Sequence, residues 1–172
     1  MSGKTLRFPD NFPVSDDVLV ELGRIPALWG SLENFLDICI HKLVGTERVI
    51  EPRIAILISH AGFQQKVQML EALCDYLSEE YPSLRSYRSV ATELKGAAAS
   101  RNQFMHSGVF YDEERKSLVT LAISARSKLK WSQATVDIND IVACSRKIHD
   151  AQRSLYKLVL GKSIDPMYSN RA

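Results

Sequence analysis

Cysteine is scarce in this chain: Cys39, Cys74 and Cys144 are the only three among 172 residues. An odd number without metal-type spacing argues against a disulfide framework and against a zinc motif. Each lies on an apolar stripe, so all three are expected as buried thiols in a reducing compartment. Long hydrophobic runs are missing as well. No stretch approaches the roughly eighteen apolar residues that a bilayer-spanning helix needs. Met1 to Asp17 carries no apolar core of the secretory-signal kind. A cytoplasmic protein that does not enter a membrane is therefore expected. Internal repeats, low-complexity tracts and glycine-rich phosphate loops are absent too, and no sequence context supports Ser/His/Asp catalysis. His41, His60 and His149 fall on three separate expected helices with no shared motif, so boundary or surface positions are expected for them. No metal and no cofactor are expected. Charge of one sign is also in short supply. A net charge of +2 permits a polyanionic partner without demanding one.

What the chain has is apolar content, 45% of residues, enough for one domain with a real core. Residues 1–14 read as a polar N-terminal strap, 15–161 as the domain and 162–172 as a loose tail. Ser15 is placed to cap a long first helix. Its seam is Val18, Leu22, Ile25, Trp29, Leu32, Leu36, Cys39 and Leu43, in steps of four and three, widened by Leu28, Phe35 and Ile38. Pro26 cannot donate a backbone bond, so a kink is expected there, and Gly45 ends the helix. A second helix is expected from Glu51 and Pro52 through Phe63, Val67, Leu70, Cys74 and Leu77 to Tyr81-Pro82. Ser83 then caps a third helix with Leu84, Tyr87, Ala91, Leu94 and Ala98 inward. Over about 108–136 the period changes to that of strands, a hairpin with Leu129 to Val136 as a third strand. Asp137 caps a last helix with Ile138, Ile141, Ile148, Leu155 and Val159 inward. The fold class read from this pattern is mainly α: a four-helix up-down bundle with a small β-hairpin insertion between helices 3 and 4.

One segment concentrates chemistry: Arg101-Asn102-Gln103-Phe104-Met105-His106, at the end of the third helix. Arg followed directly by Asn, with His four residues after that Asn, arises by chance in about one chain in a hundred of this length. A guanidinium binds phosphate through a planar fork, and an imidazole moves protons near neutral pH. Extending the third-helix seam beyond Ala98 reaches Arg101 and then Met105. A charge on an inward seam needs an acid, a water-filled cleft or a phosphate. His106 is rotated from Arg101 by about 140° on a helical wheel. The two can meet if the arginine curls round, or if both enter one groove. A groove between two copies of the helix would serve, so a homodimer is expected. In that cleft the guanidinium groups hold an RNA phosphate while one His106 takes the ribose 2′-OH proton. The other His106, or a water, then protonates the leaving 5′ oxygen. The alternative is structural: Arg101 and His106 complement the helix dipole and Asn102 is a local cap.

Arg101-Asn102 and His106 at the end of a third helix, after a long first helix, resemble the HEPN superfamily of prokaryotic RNases and RNA-binding proteins. Leu22-Gly23-Arg24-Ile25, Trp29-Gly30-Ser31-Leu32-Glu33 and His106-Ser107-Gly108 are similar to its bacterial members. The resemblance implies a dimer with a composite cleft, metal-independent endoribonuclease chemistry, and a toxin–antitoxin or phage-defence role with an antitoxin protein as partner. It implies Arg101 and His106 as the catalytic pair and Asn102 as the polar second position. Members that bind nucleotides without cutting also exist. One subgroup carries a Tyr two places after the His for adenylylation; Gly108 stands there in this chain.

Glu33, one residue past the Leu32 seam position, is the candidate to neutralise Arg101 from the first helix. The alternative is a solvated surface carboxylate. Arg126, Lys128 and Lys130, followed by Trp131, alternate on an expected strand. They are candidate RNA contacts, with the cations on phosphates and Trp131 under a base. The alternative is an edge strand guarded by charge. Three functions remain open: a metal-independent endoribonuclease, a non-catalytic RNA or nucleotide binder, and a helical dimerisation module without a ligand.

Overall fold

The computed structural model describes residues 14–45, 51–124 and 130–167. Among them the chain is mainly helical, with five α-helices and one small three-stranded antiparallel sheet. Helix α1 spans Asp16–Leu43, with Asp16 and Asp17 in its first turn and His41 and Lys42 in its last, the signs that the helix dipole favours. Ser15 precedes it as expected, but its hydroxyl donates to the Asp17 carboxylate rather than capping a backbone N–H. Pro26 lies inside α1, which runs through it as one assigned helix. The seam read from the sequence buries Val18, Ile25, Trp29, Leu32, Leu36 and Cys39, and Phe35 and Ile40 widen it. Gly45 adopts φ +84 just past the end, a conformation costly for any residue with a Cβ.

The expected second helix is two. Helix α2 covers Pro52–Ile58 and helix α3 covers Phe63–Leu77. The break has a local cause. Gly62 is extended (φ −68, ψ 161), and Gln65 Oε1 accepts its N–H at 2.9 Å, so a new helix starts there. Pro52 occupies the first turn of α2 as expected, and Glu51 caps it by accepting from Arg53 N–H. After Tyr81 a 3-10 turn covers Pro82–Ser86, and helix α4 follows over Tyr87–Met105. The third helix therefore begins later than a cap at Ser83 would give. Ion pairs tie these helices together: Lys66 Nζ lies 2.8 Å from Asp37, and Lys95 Nζ 2.8 Å from Glu71.

Strands β1 (Gly108–Asp112), β2 (Ser117–Ser124) and β3 (Lys130–Val136) form a sheet in the order β1-β2-β3. The insertion is a three-stranded meander, its third strand falling where Leu129 to Val136 was read as one. At its first turn Asp112 Oδ1 accepts from the N–H groups of Glu114 and Arg115 at 3.0 and 3.1 Å, a side chain standing in for a backbone turn. Val109, Leu118 and Val136 share one sheet face and join the main core. Helix α5, Ile138–Leu160, starts at Asp137, whose carboxylate accepts from Asn139 and Asp140 N–H at 2.6 and 3.1 Å. Gly161, at φ +64, ends it.

Helices α1 and α4 both pack on α5, and α3 packs on α1 and α4, so four long helices enclose the core. Ile25, Leu32, Leu36, Leu70, Leu94, Ile141, Ile148 and Leu155 are among its fully buried side chains. Each contributes about 1.5–3 kcal/mol by leaving water. All three cysteines are buried free thiols, as the apolar stripes predict. The segment after α5 is tied down over part of its length. Arg153 Nε donates to Ile164 O at 3.0 Å, and His149 Nε2 donates to Asp165 O at 2.9 Å. No helix among the described residues is long and apolar enough to cross a membrane.

Candidate functional site

The inward stripe of α4 is Val90, Ala91, Leu94 and Ala97, with Ala98 beside it. The next step along that stripe is Arg101, which is half-buried as its position predicts. The following inward residue is Phe104, 5% exposed, and Met105 is instead 39% exposed. The stripe advances by three after Arg101 rather than by four.

Arg101 carries its charge without a neighbouring carboxylate: among the described residues no ion pair joins it to an acid. Glu33, half-buried on α1, makes no ion pair with it. An aromatic face takes the place of that acid. The guanidinium carbon lies 5.2 Å from the ring centroid of Trp29, which is 6% exposed at the seam of α1. A cation over an indole face gains about 0.5–2 kcal/mol, more as water is removed. Trp29 is packed in turn by Phe63, with centroids 4.4 Å apart and planes tilted by 47°.

The guanidinium is also held by its own helix end. Nη1 donates to Asn102 Oδ1 at 3.0 Å and lies 3.2 Å from His106 Nε2. Asn102 does not cap through its side chain; its backbone oxygen accepts the His106 N–H at 3.3 Å. His106 is the C-cap of α4, with φ −113 and ψ 9. It has left the helical path, so the rotation computed on a wheel no longer separates it from Arg101. The arginine curls round within one chain. An N–H aimed at Nε2 needs a lone pair there, which places the imidazole proton on Nδ1. Arg101 Nε is buried and has no hydrogen-bond partner, and Nη2 makes no hydrogen bond among the described residues.

Arg101, Asn102 and His106 thus converge as read from their spacing. Trp29 and Phe63 complete the group and were not read as belonging to it. Trp29 was legible as a seam residue, but nothing in the sequence connects that seam position to Arg101. Arg126 and Lys128 lie outside the described residues. Lys130 and Trp131 are exposed on β3, Trp131 at 63%. The register pairs Trp131 with Ile123, two positions beyond the Leu121–Gly108 pair. Trp131 therefore stands at the end of the sheet where α4 hands over to β1. Of the other histidines, His60 is exposed and His149 half-buried, in line with expectation. His41 is not: it is 2% exposed, and its Nδ1 accepts the Glu51 N–H at 3.1 Å.

What the group can do chemically is limited and specific. It offers a fixed cation with unspent N–H donors, next to an exposed imidazole. Such a pair can hold an oxyanion and exchange a proton beside it. No protein-family model matches the chain, and no curated protein and no solved structure matches it either.

Proposed function

We propose that this chain is a metal-independent endoribonuclease in which Arg101 binds the scissile phosphate and His106 is the general base. The observation that carries the reading is the Arg101 guanidinium, half-buried without an acid and 3.2 Å from His106 Nε2. A desolvated cation that no carboxylate neutralises is available to an external anion. Asn102 orients it. His106 removes the 2′-OH proton, the 2′ oxygen attacks phosphorus, and the 5′ oxygen leaves protonated. The products are a cyclic phosphate and a 5′-hydroxyl. Lys130 and Trp131 lie at the same end of the sheet and extend the surface toward neighbouring nucleotides.

The reading extends to the whole assembly. In this reading α2 and α3 count as one interrupted helix of a four-helix up-down bundle, with the sheet inserted before the last helix, an arrangement that would suit the HEPN superfamily. A homodimer would place two Arg101–His106 pairs in one cleft, the second His106 serving as the acid. Action in the cytoplasm as a toxin or defence nuclease, with an antitoxin partner, belongs to the same proposal by analogy.

A second reading has its own support. His106 Nε2 already receives an N–H from Arg101, so it is not free to act as a base in this arrangement. That favours an RNA or nucleotide binder which does not cut. The third alternative, a dimerisation module without a ligand, calls for an internal acid on Arg101. None is present among the described residues. The test is incubation of the full chain with unpaired and structured RNA in excess chelator. Cleavage by wild type and none by His106→Ala supports the nuclease. Salt-sensitive binding without cleavage supports the binder, and neither activity leaves the module.

A further inference from the structure

We infer that Trp29 is a positioning residue for Arg101, a platform that holds the guanidinium without consuming its charge. The inference rests on the reading of Arg101 as a phosphate-binding group. A cation on an inward seam must be stabilised somehow, and a carboxylate is the usual means. A carboxylate would also neutralise the cation and occupy the N–H edge that a phosphate needs. An aromatic face avoids both effects, since it attracts the cation through its quadrupole and contacts only the flat side of the guanidinium. The geometry has that form. Three helices contribute to it: Phe63 of α3 packs on Trp29 of α1 at a 47° tilt with centroids 4.4 Å apart, and the Arg101 guanidinium carbon of α4 lies over the Trp29 ring, 5.2 Å from its centroid.

The state of each guanidinium nitrogen agrees with this role. Nη1 is held at the helix end by Asn102, 3.0 Å away. Nε is buried and accepted by nothing, so an oxygen acceptor is not what fixes that side of the group. Nη2 has no hydrogen bond among the described residues and remains for the ligand. A lysine ammonium in its place would lose the fixed set of N–H donors that the guanidinium presents from the ring. Phe63 reaches Trp29 because α3 starts at that residue, directly after the break at Gly62.

The test uses full-length protein and an unpaired oligodeoxynucleotide, which lacks the 2′-OH and cannot be cut. Trp29→Leu should lower its affinity by about tenfold, close to the effect of Arg101→Ala, while Trp29→Phe keeps most of it. Nitrogen NMR should show the Arg101 Nε–H protected from exchange in wild type and in Trp29→Phe, and exchanging freely in Trp29→Leu. A folded Trp29→Leu with unchanged affinity and unchanged protection overturns the inference. Where Trp29→Leu does not fold, fluorine NMR of fluorotryptophan-labelled wild type decides. The Trp29 resonance, identified by its loss in Trp29→Phe, should shift on saturation with the probe, and Arg101→Lys should abolish that shift. A Trp29 resonance that stays fixed at saturation overturns the inference. Protection that depends on Trp29, in a protein that binds neither this probe nor unpaired RNA, supports the platform and sinks the RNA reading.

Discussion

Arg101 Nη1 lies 3.2 Å from His106 Nε2 within a single chain, across five residues of sequence. A ligand phosphate that takes up the Nη1 hydrogen now aimed at Nε2 would free the imidazole lone pair at the moment a base is needed, with the guanidinium still on Trp29. Arg101→Lys keeps the charge but loses the fork, so it should behave like Arg101→Ala in cleavage assays. His106→Ala should lower the rate constant by about a hundredfold or more, the usual share of a general base. Single-turnover cleavage of a labelled RNA measures both. An Arg101→Lys protein as active as wild type would refute this account of the site.

Asn102 separates geometry from charge. Asn102→Ala removes one exposed hydrogen bond, worth about 0.5–1.5 kcal/mol, so RNA affinity should fall by roughly threefold to tenfold. Asn102→Asp keeps an acceptor at the same place and adds a negative charge beside the cation. It should bind RNA more weakly than Asn102→Ala, with a shallower dependence on salt. Affinity at several salt concentrations distinguishes the two, and equal binding by both variants contradicts the charge argument.

The thiols give a pH prediction with a definite sign. Burial pushes the Cys74 thiol up to about 11 from its ordinary 9.0. Cys39 is raised further, by burial first and by Cys74 second, and burial also raises Cys144. The unfolded thiol ionises first, so between 9.0 and about 11 the unfolded chain binds fewer protons and Cys74 favours unfolding increasingly. Its contribution to stability is fully present below 9.0 and is lost as pH rises through the folded value. Urea midpoints should therefore drop over that window, and Cys74→Ala should drop less. Iodoacetamide at pH 9 should label the thiols only after denaturant is added.

Asp137 carries the start of α5, accepting from Asn139 and Asp140 N–H while Asp140 accepts from Asp137 N–H at 2.9 Å. Asp137→Ala should cost about 1 kcal/mol in urea unfolding, and Asp137→Ser much less. Equal losses would mean that the carboxylate acts through its charge on the helix dipole instead.

How far the fold was legible follows the strength of each local signal. Asp137 and Gly161 bound α5 as read, because a capping carboxylate and a left-handed glycine act through their own backbone. The half-burial of Arg101 was legible from phase alone. The break before α3 was not, since Phe63, Val67, Leu70, Cys74 and Leu77 keep the same spacing whether or not a helix precedes them. Its only signal is Gly62 followed three residues later by Gln65. Phe104 was passed over for Met105 because a seam allows steps of three or four, and packing decides between them. The Trp29 platform was illegible because it joins residues 72 apart through tertiary packing alone.

Helix α4 ends at Met105 and β1 begins at Gly108, so His106 and Ser107 are the whole joint between a rigid helix and a rigid sheet. On the α4 side, while Val109, Leu118 and Val136 hold the sheet's inner face to the core, any change in the angle between those bodies falls on the torsions of these two residues, and the imidazole moves with them. Arg101, anchored a turn earlier on Trp29, does not. The spacing of the pair therefore depends on the path of the chain through this joint, because one partner belongs to the helix and the other to the turn that leaves it.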